Sequence, residues 1–220
     1  MTFDFDWVPQ LAQGLVLTVE ITAACVALGA ALGLLLAVGR VYGRGPIRAV
    51  CTTYIHIFRG TPLLVQLAIL YFGLPTWGIT LSRFTCAVLA LGLNSAAYQA
   101  EYFRGAIQSV DTGQLAAARA LGMSRWRAVG SIVIPQALRL VLPSWSNELI
   151  LMLKYSSVVF SISLYDLMGV GKRLASRHFR YFEVFLVVAL FYLVVVFLIS
   201  RPLRMLERRI RIPGLGNSAH

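Results

Sequence analysis

Two ionisable side chains, Glu148 and Lys154, stand inside a mainly apolar stretch running from Ile132 to about Tyr165. A charge at the centre of a membrane helix costs ~2.5–3.5 kcal/mol on insertion scales, so such groups face an internal cavity or a partner. They are separated by about 600° of helical turn, so they share a face only where Pro143 or local unwinding changes the phase. Opposite charges of this kind can bind the two ends of a zwitterion. They can equally close on each other as a structural ion pair, or Lys154 can snorkel to an interface. Asn94 and Tyr98, one turn apart on a neighbouring stretch, offer hydrogen-bonding groups from one face.

The elements that must position these residues are membrane helices. Apolar residues make up 58% of the chain and charged residues only 13%, a balance suited to lipid rather than water. A crossing takes ~20 mainly apolar residues, so 220 residues allow about five with modest loops and little mass for a second domain. The expected architecture is all-α, a single transmembrane domain over 1–220.

The first span runs from Leu15 to Val38, with Gly29 and Gly33 at the spacing that allows close helix approach. The second runs from Gly60 to Ser82, and Pro62, Gly73, Pro75 and Gly78 suggest that only its first part crosses. The third runs from Phe84 to about Ala100, and on to Ile107 if Glu101 and Arg104 lie at the membrane surface. The fourth, from Ile132 to Tyr165, reads as kinked or broken at Pro135, Pro143, Glu148 and Lys154. The fifth, from Val184 to Ser200, is uninterrupted.

A net charge of +11 would suit nucleic acid on a soluble fold, but here the arginines sit between apolar runs. Arg40, Arg44 and Arg48 follow the first span, Arg119, Arg125 and Arg127 lie in the polar segment from Gln108, and Arg201, Arg204, Arg208, Arg209 and Arg211 follow the fifth. The positive-inside rule places all three segments in the cytoplasm, the C-terminus with them, and the acidic Met1–Asp6 stretch outside. That stretch has no basic region of a cleaved signal, so the first span is expected to direct insertion. Lys172, Arg173, Arg177 and Arg180 break the rule by falling outside, either as a solvated face or as a dock for acidic patches on a partner.

Cys25, Cys51 and Cys86 lie in or beside apolar segments and read as buried thiols, and His56, His178 and His220 are too scattered for a metal site. Glu20, near the start of the first span, reads as an interfacial group facing outward. Gly169-Val-Gly-Lys172-Arg lacks the first glycine and the terminal hydroxyl of a phosphate-binding loop. The chain is therefore expected to be no enzyme and to hold no cofactor.

The polar segment reads Gln114-Leu-Ala-Ala-Ala-Arg-Ala-Leu-Gly122-Met-Ser-Arg-Trp-Arg, then Ile132-Val-Ile-Pro135. Alanines on a short helix, a glycine that ends it and a basic second piece make either a knob for a partner's cleft or an amphipathic linker. This segment resembles the Glu-Ala-Ala loop of the permease subunits of bacterial ABC importers. Ala117, Ala118, Gly122, Ile132 and Pro135 fall in the matching places, while Ala116 stands where the motif has Glu and Ile134 where it has Leu. Arg59-Gly-Thr-Pro-Leu-Leu-Val-Gln66 and Asn94-Ser-Ala-Ala-Tyr-Gln-Ala-Glu101-Tyr-Phe-Arg-Gly105 are similar to elements of permeases for polar amino acids of the histidine, glutamine, arginine and opine type.

The resemblance implies a type I permease fold in the bacterial plasma membrane, working as a dimer with itself or a related permease. Partners would be two ATP-binding subunits carrying ATP and Mg, and an extracytoplasmic binding protein that delivers the amino acid. The loop at about 108–131 would dock into the ATPase subunit through Ala116, Ala117, Ala118, Gly122 and Arg125. The pathway would be lined by Asn94, Tyr98, Glu148 and Lys154, with Lys154 on the substrate carboxylate and Glu148 on its ammonium. After the lysine the common pattern is Asp-Thr-Ser, where this chain has Tyr155-Ser156-Ser157. The alternative is an ion- or proton-coupled carrier acting alone, with Glu148 and Lys154 as its relay.

Overall fold

The computed structural model describes residues 7–210, so Met1–Asp6, Arg211 and His220, and the expectations placed on them, lie outside the described residues. The helices, in chain order, are α1 (Trp7–Tyr42), α2 (Gly45–Gly60), α3 (Leu63–Ala68), α4 (Arg83–Gln108), α5 (Thr112–Ala120), α6 (Arg125–Ala128), α7 (Ile134–Tyr155), α8 (Leu167–His178) and α9 (Tyr181–Ile210). Among the described residues there is no strand. A π-turn at Ile69–Gly73 and a 3-10 turn at Leu74–Trp77 prolong α3, a π-turn at Val129–Val133 joins α6 to α7, and a 3-10 turn at Ser156–Ile162 prolongs α7.

Three helices are long and apolar enough to cross a membrane: Trp7–Tyr42, the continuous run Arg125–Ile162, and Tyr181–Ile210. The pair Gly45–Gly60 and Leu63–Trp77, bent by 101°, makes a fourth when the two are taken as one span. Helix α4 falls short on apolarity, but its 26 residues reach about 39 Å, enough for a crossing. Its polar side chains are hidden by the helices around it: Asn94, Ser95 and Gln99 are all buried. A central helix need not be apolar, because it meets protein rather than lipid.

Two expectations need correction. The basic stretch after the first span is not a loop: α2 begins at Gly45, with Pro46 in its first turn, and runs to Gly60, where the expected second stretch begins. Its arginines masked a helix in which Arg48 and Arg59 are exposed at either end while Cys51 and Ile55 are buried between them. The fourth span is not broken either. Pro135 stands just past the π-turn at Val129–Val133, a local irregularity next to which a residue without an N–H can sit, and Arg125–Ile162 continues through Pro143 as one span.

Packing centres on α1 against α4. Without a hydrophobic drive between helices in lipid, close approach through small residues supplies the contact. A Cβ at Gly29 would stand 2.6 Å from Gln99 Nε2, and one at Gly33 3.0 Å from the Ala96 carbonyl. Ile21, Cys25, Leu67, Cys86, Leu91, Met152 and Val159 fill the middle of the molecule. At one pole Trp7 and Leu11 meet Leu167, Leu174, Val184 and Val188. At the other, Ala37 meets Phe103, Ile107, Val133 and Val141. Cys25, Cys51 and Cys86 are buried and free.

Candidate functional site: a cavity at a helix break

The break between α2 and α3 frees backbone carbonyls that an unbroken helix would satisfy internally. Side-chain amides take them up. Gln66 Nε2 donates to Phe58 O at 2.9 Å, Thr61 O at 3.0 Å and Thr61 Oγ1 at 2.7 Å, sharing its two hydrogens. Asn94 Nδ2, from α4, donates to Phe58 O at 3.0 Å and to Gln66 Oε1 at 3.2 Å. Tyr54 adds a bond from its hydroxyl to Leu93 O at 2.9 Å. The bend is thus fixed against α4, and Pro62 at the cap of α3 cannot continue α2.

A cavity of about 480 Å³ opens beside this break, lined by Arg59, Thr61, Asn94, Tyr98, Tyr155 and Val158 among others. Its size falls within the ~300–1,000 Å³ of small-molecule sites. The Arg59 guanidinium lies over the Tyr98 ring, 5.2 Å from its centroid. Arg59 and Tyr155 were not singled out as site residues in the sequence. Their signals were the segment resemblance that Arg59 opens and, at Tyr155, the departure from the Asp-Thr-Ser pattern after Lys154.

The four pathway residues expected from the sequence do not converge. Asn94 and Tyr98 line this cavity together. Glu148 is 1% exposed and engaged elsewhere: Ser95 Oγ donates to its Oε1 at 2.7 Å and the Tyr102 hydroxyl to its Oε2 at 3.3 Å. Gln99 Nε2 extends the network to Ser95 Oγ at 3.0 Å and Val26 O at 3.3 Å, so the carboxylate ties α7 to α4 and, through Gln99, to α1. Lys154 is exposed on a separate cleft of about 400 Å³, with Ser157, Met168, Phe185 and Tyr192.

The expected docking loop is a built knob. Asp111 caps α5 by accepting from Gly113 N at 2.7 Å, and Ser124 caps α6 by accepting from Arg127 N at 3.4 Å. Between them Gly122, at φ +82°, closes a Schellman end, with Gly122 N bonding Arg119 O and Met123 N bonding Ala118 O, each at 3.1 Å. Ala118 packs inward, while Ala116, Ala117, Gly122 and Arg125 are exposed. Two large apolar residues beside them are also bare, Leu121 at 85% and Trp126 at 59% exposure. The knob leans on the end of α1: Arg125 sits over the Tyr42 ring at 5.4 Å, and Trp126 meets Tyr42 edge-on at 6.4 Å.

At the other pole, Asp166 caps α8, its Oδ1 accepting from Gly169 N at 2.9 Å. The residue is fully buried, and burial pushes its carboxyl up to about 6. The segment from Asp166 to Arg173 is therefore a capped helix start. Among the described residues no group of His, Cys, Asp and Glu could hold a metal ion.

Residues 29–212 match the family described as binding-protein-dependent transport system inner membrane component. The chain is 40% identical over 206 residues to the octopine transport system permease protein OccM of Rhizobium radiobacter, covering 90% of this chain and 84% of that one. It is 36% identical over 216 residues to the glutamine transport system permease protein GlnP of Escherichia coli (strain K12), covering 94% and 99%. A crystal structure of an amino acid ABC transporter with histidines superposes with a TM-score of 0.86 at 41% identity, covering 95% of this chain and all of that one.

Proposed function

Since the chain belongs to the family of binding-protein-dependent transport system inner membrane components, we propose that it is the membrane-embedded permease subunit of an ATP-driven importer of polar amino acids. The observation that carries this reading is the pairing of a cavity at a helix break with a rigid, exposed knob on the same chain. The relatives named as octopine and glutamine permeases span nearly the same length, which supports transport of an amino acid.

In this reading Asn94, Tyr98 and Arg59 meet the substrate, and Glu148 positions α4 against α7 beside them. Lys154 contributes from its own cleft when that cleft lies on the pathway between two permease copies. The knob, through Ala116, Ala117, Gly122, Leu121, Arg125 and Trp126, seats in a separate ATPase subunit that carries ATP and Mg. An extracytoplasmic binding protein presents the amino acid at the opposite pole. Arg40, Arg44, Arg48, Arg104, Arg125 and Arg127 gather around the knob pole, which supports a cytoplasmic knob and an N-terminus outside. Closure of the ATPase pair would move the knobs as levers and alternate the access of the cavity.

A carrier acting alone has no observation in its favour, because the Glu148 and Lys154 relay it requires is not assembled. Co-expression with candidate ATPase subunits, followed by uptake and ATP hydrolysis in proteoliposomes, tests the importer. Co-purification and amino-acid uptake that stops without ATP are expected. Uptake under an ion gradient alone would overturn it.

A further inference from the structure

Three arginines from three helices meet at a second cavity. Arg40 in the last turn of α1, Arg48 in the first turn of α2 and Arg104 near the end of α4 line a space of about 330 Å³, with Val41, Thr52 and Gln108 completing its wall. That volume lies at the small end of the ~300–1,000 Å³ of small-molecule sites. Among the described residues one carboxylate meets these arginines: Glu101 pairs with Arg40, and with Arg104 at 2.8 Å. Arg104 also donates to Gln108 Oε1 at 2.5 Å. Arg48 has no acid partner among the described residues, and its Nε donates to the Arg40 carbonyl at 3.0 Å, which holds it against the end of α1. The wall therefore carries a positive excess, and Arg40 is repelled by both Arg104 and Arg48. The side chains of Arg40 and Arg104 are only 24% and 32% exposed, so water screens that repulsion in part.

An anion shared among several guanidinium groups relieves such repulsion, and the planar fork of arginine matches the oxygens of a phosphate. We propose that the cavity between α1, α2 and α4 binds a phosphate group, held by Arg48 together with Arg40 and Arg104, and that the group is the head of an anionic phospholipid. Thr52 and Gln108 offer further hydrogen-bonding groups on the same wall. Position favours a lipid over a free ion. Helix α1 is a membrane-crossing helix that ends at Tyr42, two residues past Arg40, so the arginines stand at the level where a span leaves the membrane. Basic pockets between membrane helices at that level are suited to anionic head groups. Leu35 on α1 and Val50 and Ile57 on α2 are exposed apolar surface that suits acyl chains. The site is independent of which amino acid the chain carries. A bound head group would fasten the end of α1 to α2 and α4, next to the Tyr42 ring on which the knob leans.

The test uses the full-length chain purified in detergent and measures binding of phosphatidylglycerol, phosphatidylcholine and inorganic phosphate by native mass spectrometry, with size exclusion reporting which variants fold. Phosphatidylglycerol is expected to bind at least about 10-fold more tightly than phosphatidylcholine, whose choline brings a cation to the same wall. Arg48→Gln should lose about 10-fold for phosphatidylglycerol, the scale of one charge-assisted hydrogen bond. Thr52→Glu, which sets a carboxylate on the cavity wall, should lose at least as much, and either variant carries the test if the other fails to fold. Arg201→Gln removes an exposed arginine of α9 that does not line the cavity and should change binding less than about 2-fold. Folded Arg48→Gln or Thr52→Glu that binds phosphatidylglycerol as the parent does overturns the site. A loss at Arg201→Gln as large as at Arg48→Gln overturns it too, by making the attraction a diffuse surface charge. Inorganic phosphate that displaces phosphatidylglycerol at equal concentration overturns the lipid as the source of the phosphate.

Discussion

Ser95 Oγ on α4 donates a 2.7 Å hydrogen bond to Oε1 of Glu148 on α7, at a site where both residues are buried. That bond makes Glu148 a fastening between two crossings. Removing one donor from a buried acceptor costs ~1–3 kcal/mol, and more where the acceptor is charged. Ser95→Ala should therefore destabilise the protein by at least that order. Glu148→Ala should cost more, by stranding Ser95 and Tyr102 and opening a void, whereas Glu148→Gln keeps an acceptor for Ser95 and should cost least. Lys154→Met, on an exposed side chain, should stay within about 0.5 kcal/mol. Thermal unfolding in detergent checks this order, and a larger effect at Lys154 than at Glu148 would contradict it.

The α1–α4 seam predicts a steric threshold. At Gly33 a Cβ would press on the Ala96 carbonyl at 3.0 Å and the Ala100 nitrogen at 3.1 Å, both backbone atoms that cannot swing aside. Gly33→Val should reduce folded yield severely, with overpacking costs of ~1–3 kcal/mol or more. At Gly105, where a Cβ meets nothing within 4 Å, Ala should be tolerated. Size-exclusion profiles of the two variants make the comparison.

The knob predicts a separation of stability from coupling. Leu121 and Trp126 are exposed, so Leu121→Asp and Trp126→Glu should leave the unfolding temperature nearly unchanged while lowering ATP-driven uptake at least about 10-fold. Gly122→Val should lose both, because a β-branched residue is strained at φ +82°. Ala116→Glu restores a side chain beside the same socket and should preserve uptake. ATPase co-purification and uptake, scored beside unfolding, read the difference.

Asp166 predicts a pH dependence. Its carboxyl, at about 6 in the folded chain against ~3.9 in an unfolded one, binds its proton more tightly when folded. The sign follows: this group's contribution is most favourable below about pH 4, declines as pH rises toward 6, and is level above. The decline is on the order of 3 kcal/mol. Asp166→Asn keeps an acceptor for Gly169 N and should flatten that part of the profile. Unfolding temperatures of the two proteins from pH 4 to 8, compared as a difference, measure it.

The apolar runs were enough to find α1, the long fourth span and α9, because a bilayer demands ~20 apolar residues whatever the neighbours are. Helix α2 escaped for the converse reason: Arg48, His56 and Arg59 interrupt its apolarity, and only the fold shows that all three are exposed. The α5 knob was legible too, since its cap and its terminal glycine are local chemistry. Asn94 and Tyr98 could be paired from their one-turn spacing alone.

Glu148 and Lys154 show the limit. Their types and the cost of burying them were visible in the sequence, and so was the need for partners. Which partner each one meets depends on the rotation of α7 against α4 and α9, a quantity set by packing across the bundle and not by either residue's neighbours in the chain. The sequence by itself therefore determined a membrane-embedded helical permease with a capped polar loop. Only the tertiary structure decided that Glu148 is closed off by Ser95 and Tyr102, that Lys154 opens on another cleft, and that Arg59 lies over the Tyr98 ring on the wall of the cavity at the helix break.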